Sequence, residues 1–191
     1  NTQNILCSDF MFNYYTAMVI RDFLAKLSDS EVKIKWPNDV YIRGSADGPL
    51  SKIAGILVNS TNALCGKHFN VLVGVGFNLL RAEGNIAHFN NFTLTPIEKE
   101  AFLAQVLVKF SELYNLLLDT GAFAFDLYYQ KWLHSGQSVK VAIDLGKDPV
   151  DAVIQGIDSS GYLLATVDGA TIRLEPDGNS FDMLHNLIRR K

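Results

Sequence analysis

Turn-forming clusters at short intervals restrict what the last third of this 191-residue sequence can fold into. They leave room only for short strands, because clustered glycine, proline and aspartate interrupt longer regular structure. The clusters lie at residues 146–149, 158–161, 168–169 and 177–178, and the strands that they separate are placed at 139–143, 150–157, 162–167 and 171–174. The pattern predicts a small antiparallel β-barrel or sandwich, with a domain boundary after residue 134.

The residues before this boundary begin with a helical pattern and continue with extended ones. Residues 10–27 carry apolar side chains close to the helical period, which predicts an amphipathic helix. Residues 32–36 alternate lysine with apolar side chains, so the lysines share one face of a half-buried strand. Further strands are predicted at residues 40–43, 53–59 and 69–75. The short polar connection before the last of them suggests antiparallel pairing.

A helix start signal follows these strands. Residues 95–98 (Thr-Pro-Ile-Glu) combine a capping threonine, a first-turn proline and a glutamate three residues after the cap. The helix should run to about Asp119, with Gly121 placed to end it, and a second helical stretch is predicted at residues 123–133. The fold class is therefore α+β, a mixed and largely antiparallel sheet with flanking helices, followed by a small β-barrel.

Composition argues for a globular protein that does not bind nucleic acid. Hydrophobic residues make up 48% of the chain, enough for a core, and the net charge is -3 with scattered basic residues. No apolar run approaches the roughly 20 residues that cross a bilayer, so we expect no membrane partner. The four histidines lack ligand-like spacing, so we assign no metal ligand, and the two cysteines suggest reduced thiols in the cytosol.

Two segments place a lysine beside groups that suit a reaction site. Residues 35–39 (Lys-Trp-Pro-Asn-Asp) end a strand in a tight turn that presents Asn38 and Asp39 beside Lys35, although the same composition fits a simple turn. Lys52 begins an otherwise apolar strand, where a lysine is usually only solvated. If Lys52 points into a cleft, its charge suits a carboxylate or phosphate oxygen whose negative charge grows during a reaction.

A third segment, residues 74–78 (Gly-Val-Gly-Phe-Asn), offers a bare strand surface. Gly74, Gly76 and Asn78 fall on one face by strand alternation, so a flat ring could rest on the glycines with Asn78 at its edge. The alternative is a β-bulge or close helix packing. The segment is not a dinucleotide fingerprint, because the third glycine is absent.

Taken in order, these three segments resemble the signature of biotin protein ligases. Residues 176–184 resemble the terminal segment of the eukaryotic holocarboxylase synthetase type, and Trp132 with residues 136–139 is similar to the family's entry into its C-terminal barrel. The resemblance implies a catalytic domain at residues 1–134 of the biotin/lipoate ligase-like fold. It implies a small SH3-like barrel at residues 135–191.

The resemblance also implies a two-step reaction. The biotin carboxylate attacks the α-phosphate of ATP, accompanied by Mg²⁺, and a lysine on the biotin carrier domain of a carboxylase then attacks the biotinyl-adenylate. In similar enzymes the lysine matching Lys52 contacts the biotin carboxylate and α-phosphate, and the aspartate matching Asp39 faces the acceptor lysine. The other matches are Lys35 at the phosphates, Asn38 and Asn78 near the nucleotide, and Gly55, Gly74 and Gly76 along the biotin and adenylate pocket.

One element of the family pattern is not found among these residues, namely the Gly-Arg-Gly-Arg adenylate loop. We interpret the chain as a cytoplasmic ligase that lacks the N-terminal part of its catalytic domain. The alternatives are a non-catalytic module that binds biotin or the adenylate, and an interaction protein that only contacts carrier domains. Lipoate ligases share the general fold but lack the ordered signature, so they rank lower.

Overall fold

A computed structural model describes residues 9–62, 69–80, 86–120, 125–142, 148–175, 179–182 and 186–190. The chain forms two compact units, Asn1–Ala124 and Phe125–Lys191. The predicted helix stop at Gly121 lies outside the described residues, as do parts of two predicted turn clusters, 146–147 and 177–178. Within the described ranges, no helix is both long enough and apolar enough to cross a membrane.

The first unit is a four-stranded antiparallel sheet with two helices. Its elements are α1 Asp9–Leu27, β1 Glu31–Lys35, β2 Asp39–Arg43, β3 Ser51–Asn62, β4 Phe69–Phe77, a 3-10 helix Phe89–Phe92 and α2 Lys99–Thr120. The strands are hydrogen-bonded in sequence order, β1-β2-β3-β4, and each neighbouring pair is antiparallel. The predicted first helix, the four strands and the antiparallel pairing of the last two strands are therefore confirmed.

Helix α1 covers one face of this sheet. The alternating apolar residues of the strands, including Ile34, Val40 and Ile56, are fully buried beneath it. At the end of β1 the indole Nε1 of Trp36 donates a hydrogen bond to the hydroxyl of buried Tyr14, 3.0 Å away. One side of each strand is thus used for packing, which leaves the lysine-bearing side of β1 for the opposite face of the sheet.

Helix α2 begins later than the sequence predicted. Its first residue is Lys99, and the carbonyl of Glu98 accepts the first helical hydrogen bond, from the amide of Phe102 at 2.9 Å. The predicted cap at Thr95 is wrong, because the helix begins only at Lys99 and the side chain of Asn90 ties down the segment before it. Asn90 accepts a hydrogen bond from the amide of Ile97 at 3.1 Å and donates one to its carbonyl at 3.2 Å.

The second unit is a six-stranded sheet with one short helix. Its elements are α3 Phe125–Lys131, β5 Ser138–Ala142, β6 Val150–Ile157, β7 Leu163–Val167, β8 Ala170–Leu174, β9 Asn179–Asp182 and β10 Leu187–Arg190. The strand order is β8-β7-β6-β5-β10-β9. The sequence predicted β5 to β8 but missed β9 and β10, and the pairing of β10 with β5 is parallel, not antiparallel.

Helix α3 belongs to the second compact unit, whereas the sequence assigned it to the first domain. The hydroxyl of Tyr129 donates a hydrogen bond to the carbonyl of Ile157 at 3.1 Å and accepts one from its amide at 2.8 Å. These bonds connect α3 to the end of β6. They could not be predicted from the helical periodicity of the sequence. The class of fold, α+β with an SH3-like C-terminal domain, is as predicted.

Candidate functional site

The face of the first sheet opposite α1 carries a cross-strand row of polar and glycine residues. Lys35 of β1 pairs with Asp39 of β2, Asp39 pairs with Gly55 of β3, and Gly55 pairs with Gly76 of β4. Directly paired residues of antiparallel strands share a face, so the row crosses the whole sheet. The three sequence segments singled out above therefore meet on one surface.

Asp39 is held between two lysines at the centre of this row. Its Oδ1 lies 2.5 Å from the Nζ of Lys52, and its Oδ2 lies 3.7 Å from the Nζ of Lys35. The side chains of Asp39 and Lys35 are only 14% and 12% exposed, whereas that of Lys52 is 50% exposed. Lys52 is therefore the member of the cluster best able to turn toward a ligand while Asp39 keeps a cationic partner.

A depression of about 630 Å³ opens beside this cluster. Among the described residues it is lined by Asn38, Asp39, Lys52, Gly55, Ile56, Leu57, Gly74, Val75 and Gly76. Of these, Asp39 and Lys52 carry charge and the glycines expose backbone. The site thus combines a charged end with a flat floor.

The floor is formed by two glycines of β4. A methyl group added at Gly74 would meet the carbonyl of Leu57 at 3.7 Å, and one at Gly76 would meet that of Gly55 at 3.9 Å, both ordinary contacts. The pairing of β3 with β4 is uninterrupted from Phe69 to Phe77. The alternative of a bulge is therefore wrong, and no helix of the described residues packs against these two positions.

Gly55 lies closer to the charged cluster than the other glycines do. A methyl group there would lie 3.2 Å from the Nζ of Lys52 and 3.3 Å from the Oδ1 of Asp39. These distances are shorter than most real Cβ contacts, so the ion pair would have to shift. The absence of a side chain at Gly55 is what lets Lys52 reach Asp39.

Asn38 fixes the turn between β1 and β2 onto β3. Its side-chain Nδ2 donates to the carbonyl of Ile56 at 2.7 Å, and its own carbonyl accepts from the amide of Ile56 at 2.8 Å. The Trp36–Pro37 peptide bond just before it is cis. Asn38 therefore holds the turn in place beside Gly55, and its predicted contact with nucleotide stays a prediction.

Asn78 is a predicted site residue that lies outside both the cross-strand row and the lining of the depression. It follows the end of β4, and its Nδ2 lies 3.4 Å from the backbone carbonyl of Lys52. Its amide continues the strand pairing by donating to the carbonyl of Ile53 at 2.9 Å. The side chain borders an apolar groove with Phe77 and Leu79 instead of the glycine floor.

Two residues of this surface were missed by sequence reasoning. Leu57 is 69% exposed and pairs with Gly74, so it offers an apolar edge to the floor. Tyr41 pairs with Lys52, and the Nζ of Lys35 lies 5.9 Å from the centre of its ring. Burial, and then the charge of Asp39, raise the pKa of the Tyr41 phenol. The signal for both was strand alternation, which puts Leu57 on the face of Gly55 and Tyr41 on that of Asp39.

The described residues do not fit a resident magnesium ion. They include no group of three or more histidine, cysteine, aspartate or glutamate side chains placed to hold a metal. Asp39 supplies the single carboxylate among the described residues of the depression, and both of its oxygens face lysine ammonium groups. Magnesium usually needs one or two carboxylates together with substrate phosphates, so we derive no step through it.

Two families match this sequence. Residues 3–78 match the Biotin/lipoate A/B protein ligase family, and residues 134–185 match the Biotin protein ligase C terminal domain. The first match includes the segments at Lys35, Lys52 and Gly74. The chain belongs to the biotin protein ligase family.

Curated relatives agree with this assignment. The chain is 36% identical to biotin–protein ligase 1, chloroplastic, of Arabidopsis thaliana over 95% of this chain and 51% of that protein. It is 40% identical to biotin–protein ligase 2 of the same plant over 86% and 50%, and 35% identical to the biotin–protein ligase of Homo sapiens over 88% and 23%. The chain thus spans about half the length, or less, of these relatives.

Solved structures share the fold. The biotin protein ligase from Aquifex aeolicus in complex with biotin and ATP superposes with a TM-score of 0.68 at 18% identity, covering 92% of this chain and 73% of that one. The apo structure of the same protein gives 0.68 at 19% identity, covering 86% and 72%. At this identity the likeness shows the fold alone.

Proposed function

We propose that this chain is part of a biotin–protein ligase of the eukaryotic holocarboxylase synthetase type. It would use ATP to convert biotin to biotinyl-5′-AMP and then transfer biotin to a specific lysine on the biotin carrier domain of carboxylases. The observation that carries the proposal is the Lys52–Asp39 pair, which stands at the edge of a bare glycine floor on the open face of the sheet. The eukaryotic type is supported by 35–40% identity to plant and human ligases, against 26% to the bacterial ligase/repressor BirA.

In the first step a biotin carboxylate oxygen bonds to the α-phosphorus of ATP, and the bond from that phosphorus to the oxygen bridging to the β-phosphate breaks. Pyrophosphate leaves with the electron pair. Lys52, half-exposed and next to the floor, neutralises the charge that gathers on the carboxylate and phosphate oxygens. Lys35 lies on the other side of Asp39 and adds a second positive charge to the same region.

In the second step the amine of the acceptor lysine bonds to the biotin carbonyl carbon, the bond from that carbon to the phosphate oxygen breaks, and AMP leaves. The amine must lose a proton as it attacks. Asp39 would hold the amine and accept that proton; the support for this role is its mostly buried carboxylate beside Lys52, next to the position proposed for the reacting carbonyl.

The floor of Gly74 and Gly76, together with the neighbouring Gly55, would carry the flat parts of biotin and the adenylate, with Leu57 as an apolar edge. Asn38 would face the nucleotide from the turn beside Gly55, whereas Asn78 would reach a nucleotide only if the ligand extended past the depression to the end of β4. Magnesium would enter with the triphosphate of ATP, since the protein carboxylate present is already paired. We also propose a cytoplasmic location, supported by the small number of cysteines.

The second candidate is a non-catalytic module that binds biotin or biotinyl-adenylate, or that only contacts carrier domains. It is favoured by the same floor, which needs no chemistry to bind a ring. Binding of biotinyl-adenylate by calorimetry, with no pyrophosphate release from biotin and ATP, would support the binding module. Capture of a carrier domain in the absence of biotin and ATP would support the interaction protein.

The decisive experiment replaces Lys52 by alanine in a chain extended upstream to the full length of its relatives. Pyrophosphate release at saturating biotin and ATP should fall by roughly 10² to 10³, the scale for loss of one preorganised donor to a transition state. Lys109→Ala is the matched control, because Lys109 pairs with Glu112 on α2 and is not part of the depression. A rate for Lys52→Ala within about threefold of the parent enzyme would refute the assigned role.

A further inference from the structure

Strand β2 places an aromatic ring next to the carboxylate of Asp39 on the open face of the sheet. Tyr41 follows Asp39 by two residues, so the two side chains share a face. The register between β2 and β3 shifts by one residue just before Tyr41, which lies opposite Lys52. Ile53 is the extra residue of this bulge, since Ile53 and Ala54 are neighbours in sequence and both are buried. The bulge thus returns Lys52 to the open face, beside Tyr41.

The ring of Tyr41 also lies against the other lysine of the cluster. The Nζ of Lys35 is 5.9 Å from the ring centre and 3.7 Å from the Oδ2 of Asp39. An ammonium group within about 6 Å of the centre of an aromatic ring is attracted by the face of that ring. Burial, and then the charge of Asp39, raise the pKa of the Tyr41 phenol, so the ring carries no charge of its own at neutral pH. The ammonium of Lys35 is therefore attracted both by a carboxylate and by an aromatic face.

The two lysines that share Asp39 are held unequally. The side chain of Lys35 is 12% exposed, whereas that of Lys52 is 50% exposed. A ring contact stabilises a desolvated ammonium more than one that water already solvates, so the ring adds most to the more buried lysine. When an anionic reactant competes with Asp39 for a lysine, Lys52 can therefore leave while Lys35 stays. Without the ring, Lys35 would neutralise Asp39 less well, and Asp39 would retain Lys52 more strongly.

We propose that Tyr41 is a positioning residue for the first step, in which its ring holds Lys35 on Asp39 so that Lys52 is the lysine released to the reactants. The proposal rests on the proposed function, which assigns Lys52 to the reacting carboxylate and phosphate oxygens. Tyr41 acts through Lys35 and Asp39 and touches no reactant in this role. The face of its ring is required, and its hydroxyl is not.

The kinetic test uses a chain extended upstream to the full length of its relatives. Tyr41→Leu should lower pyrophosphate release at saturating biotin and ATP by about three- to tenfold, the rate equivalent of one ring–ammonium contact. Tyr41→Phe keeps the ring and should restore most of that rate. The loss should fall on kcat more than on the KM for biotin, because the ring holds a lysine and not the substrate. Tyr41→Met is a second ring-free variant, to be used if thermal unfolding shows that Tyr41→Leu does not fold.

A double-mutant cycle shows whether Tyr41 acts through Lys35. Tyr41→Leu combined with Lys35→Met should be no slower than Lys35→Met alone, because the ring then has no ammonium to hold. Arg43→Met is the matched control, since Arg43 is a cation on the same face of β2 that pairs with Glu31. Its effect should multiply with that of Tyr41→Leu. Independent losses for Tyr41→Leu and Lys35→Met, or a Tyr41→Phe rate as low as that of Tyr41→Leu, would overturn the proposal.

A measurement on the 191-residue chain tests the position of Lys35 without any activity. In NMR spectra the ring current of Tyr41 should shift the ε-methylene protons of Lys35 upfield. The shift should persist in Tyr41→Phe and be lost in Tyr41→Leu, and its absence from the parent chain would overturn the proposal. An extended parent chain that releases no pyrophosphate would refute the proposed function and this role with it. An active parent chain without coupling between Tyr41 and Lys35 would refute this role alone.

Discussion

Under the proposed function, Asp39 would serve both steps of the reaction. Its two oxygens face Lys52 and Lys35, so it would position the cations of the first step, and an oxygen released by one of the lysines would act as the base of the second. An asparagine at this position would keep an oxygen for Lys52 but could not accept a proton. The change therefore separates the two tasks.

We expect Asp39→Asn to slow transfer to the acceptor by roughly 10²-fold, the low end for loss of a general base, and to slow adenylate formation much less. The measurement supplies purified biotinyl-adenylate with a carrier domain and follows biotinylation, in parallel with pyrophosphate release from biotin and ATP. An equal loss in both half-reactions would mean that Asp39 serves the nucleotide or the fold instead of the amine.

A second prediction concerns the addition of one methyl group to the glycine floor. Gly74→Ala should leave the free energy of unfolding within about 0.5 kcal/mol of the parent, because the new methyl group makes only an ordinary contact. It should weaken biotinyl-adenylate binding by about tenfold or more, since the methyl group occupies the plane on which the ring would rest.

The matched control is Asn70→Ala, at the far end of the same strand and also exposed. Calorimetry gives the affinity, and urea unfolding gives the stability. If Gly74→Ala instead destabilises the chain while its affinity per folded molecule is unchanged, the glycine serves packing and not a ligand.

The sequence alone predicts that six of the site residues lie on one surface, and the structure places them there. They are Lys35, Asp39, Lys52, Gly55, Gly74 and Gly76. Strand alternation fixes which face each residue joins, and hairpin pairing makes neighbours of the strands. Alternation failed at Asn78, because β4 ends at Phe77 and the side chain of Asn78 lies against the backbone carbonyl of Lys52 and the apolar groove. The exposure of Leu57 could not be predicted, because it depends on what packs against the sheet.

At the scale of elements, the errors arose where contacts outside the local sequence pattern determine where an element begins or how it pairs. Residues 95–98 have the composition of a helix cap, yet Asn90 pairs with both backbone groups of Ile97 and delays the helix. The strands β9 and β10 are only four residues each, too short to show alternation. The parallel pairing of β10 with β5 joins residues distant in sequence, which no local pattern specifies.

Tyr129 provides the test at this scale. Tyr129→Phe removes the two hydrogen bonds from α3 to Ile157, whose side chain is buried, and should cost the second unit roughly 1–2 kcal/mol. Burial is the main cause that raises the pKa of this phenol above its ordinary value near 10, so the folded unit keeps it protonated to a higher pH than the unfolded chain does. The stability that the protonated phenol contributes to the folded unit is fully present below pH 10 and is lost as the pH rises through the folded-state pKa.

The variant should therefore unfold more readily at neutral pH, and its stability should depend less on pH above 10 than that of the parent chain. Chemical unfolding at several pH values measures both effects. Tyr162→Phe is the control, since its ring keeps its contact with the guanidinium of Arg173 without the hydroxyl. An identical alkaline loss in Tyr129→Phe and the parent would show that another group causes it.

At the scale of the whole molecule, the chain spans about half of its plant relatives, and the Gly/Arg adenylate loop of the family is not among its residues. We expect residues 1–191 alone to make and retain biotinyl-adenylate poorly, because Lys52 and Lys35 cannot replace a loop that excludes water and holds the phosphate. A mixed anhydride exposed to water hydrolyses and diffuses away.

The experiment compares the 191-residue chain with a chain extended upstream. Pyrophosphate release gives the rate of adenylate formation, and co-elution of labelled product gives its retention. Extension should raise both the rate and the retention of the product. If the short chain equals the long one in both, these residues hold a complete active site and the interpretation of the chain as a fragment is wrong.

The two hydrogen bonds between Asn38 and the backbone of Ile56 determine how much the sequence and length of the β2–β3 connection can vary without disturbing the site. They set the spacing between Asp39 and Lys52 directly across the sheet, so that spacing does not depend on the length of the connection between the strands. The tip of that connection, around Ala46 and Asp47, is exposed. Extra residues, a reporter peptide or new chain termini introduced there should leave the charged pair intact, which makes this tip a natural point for engineering the protein.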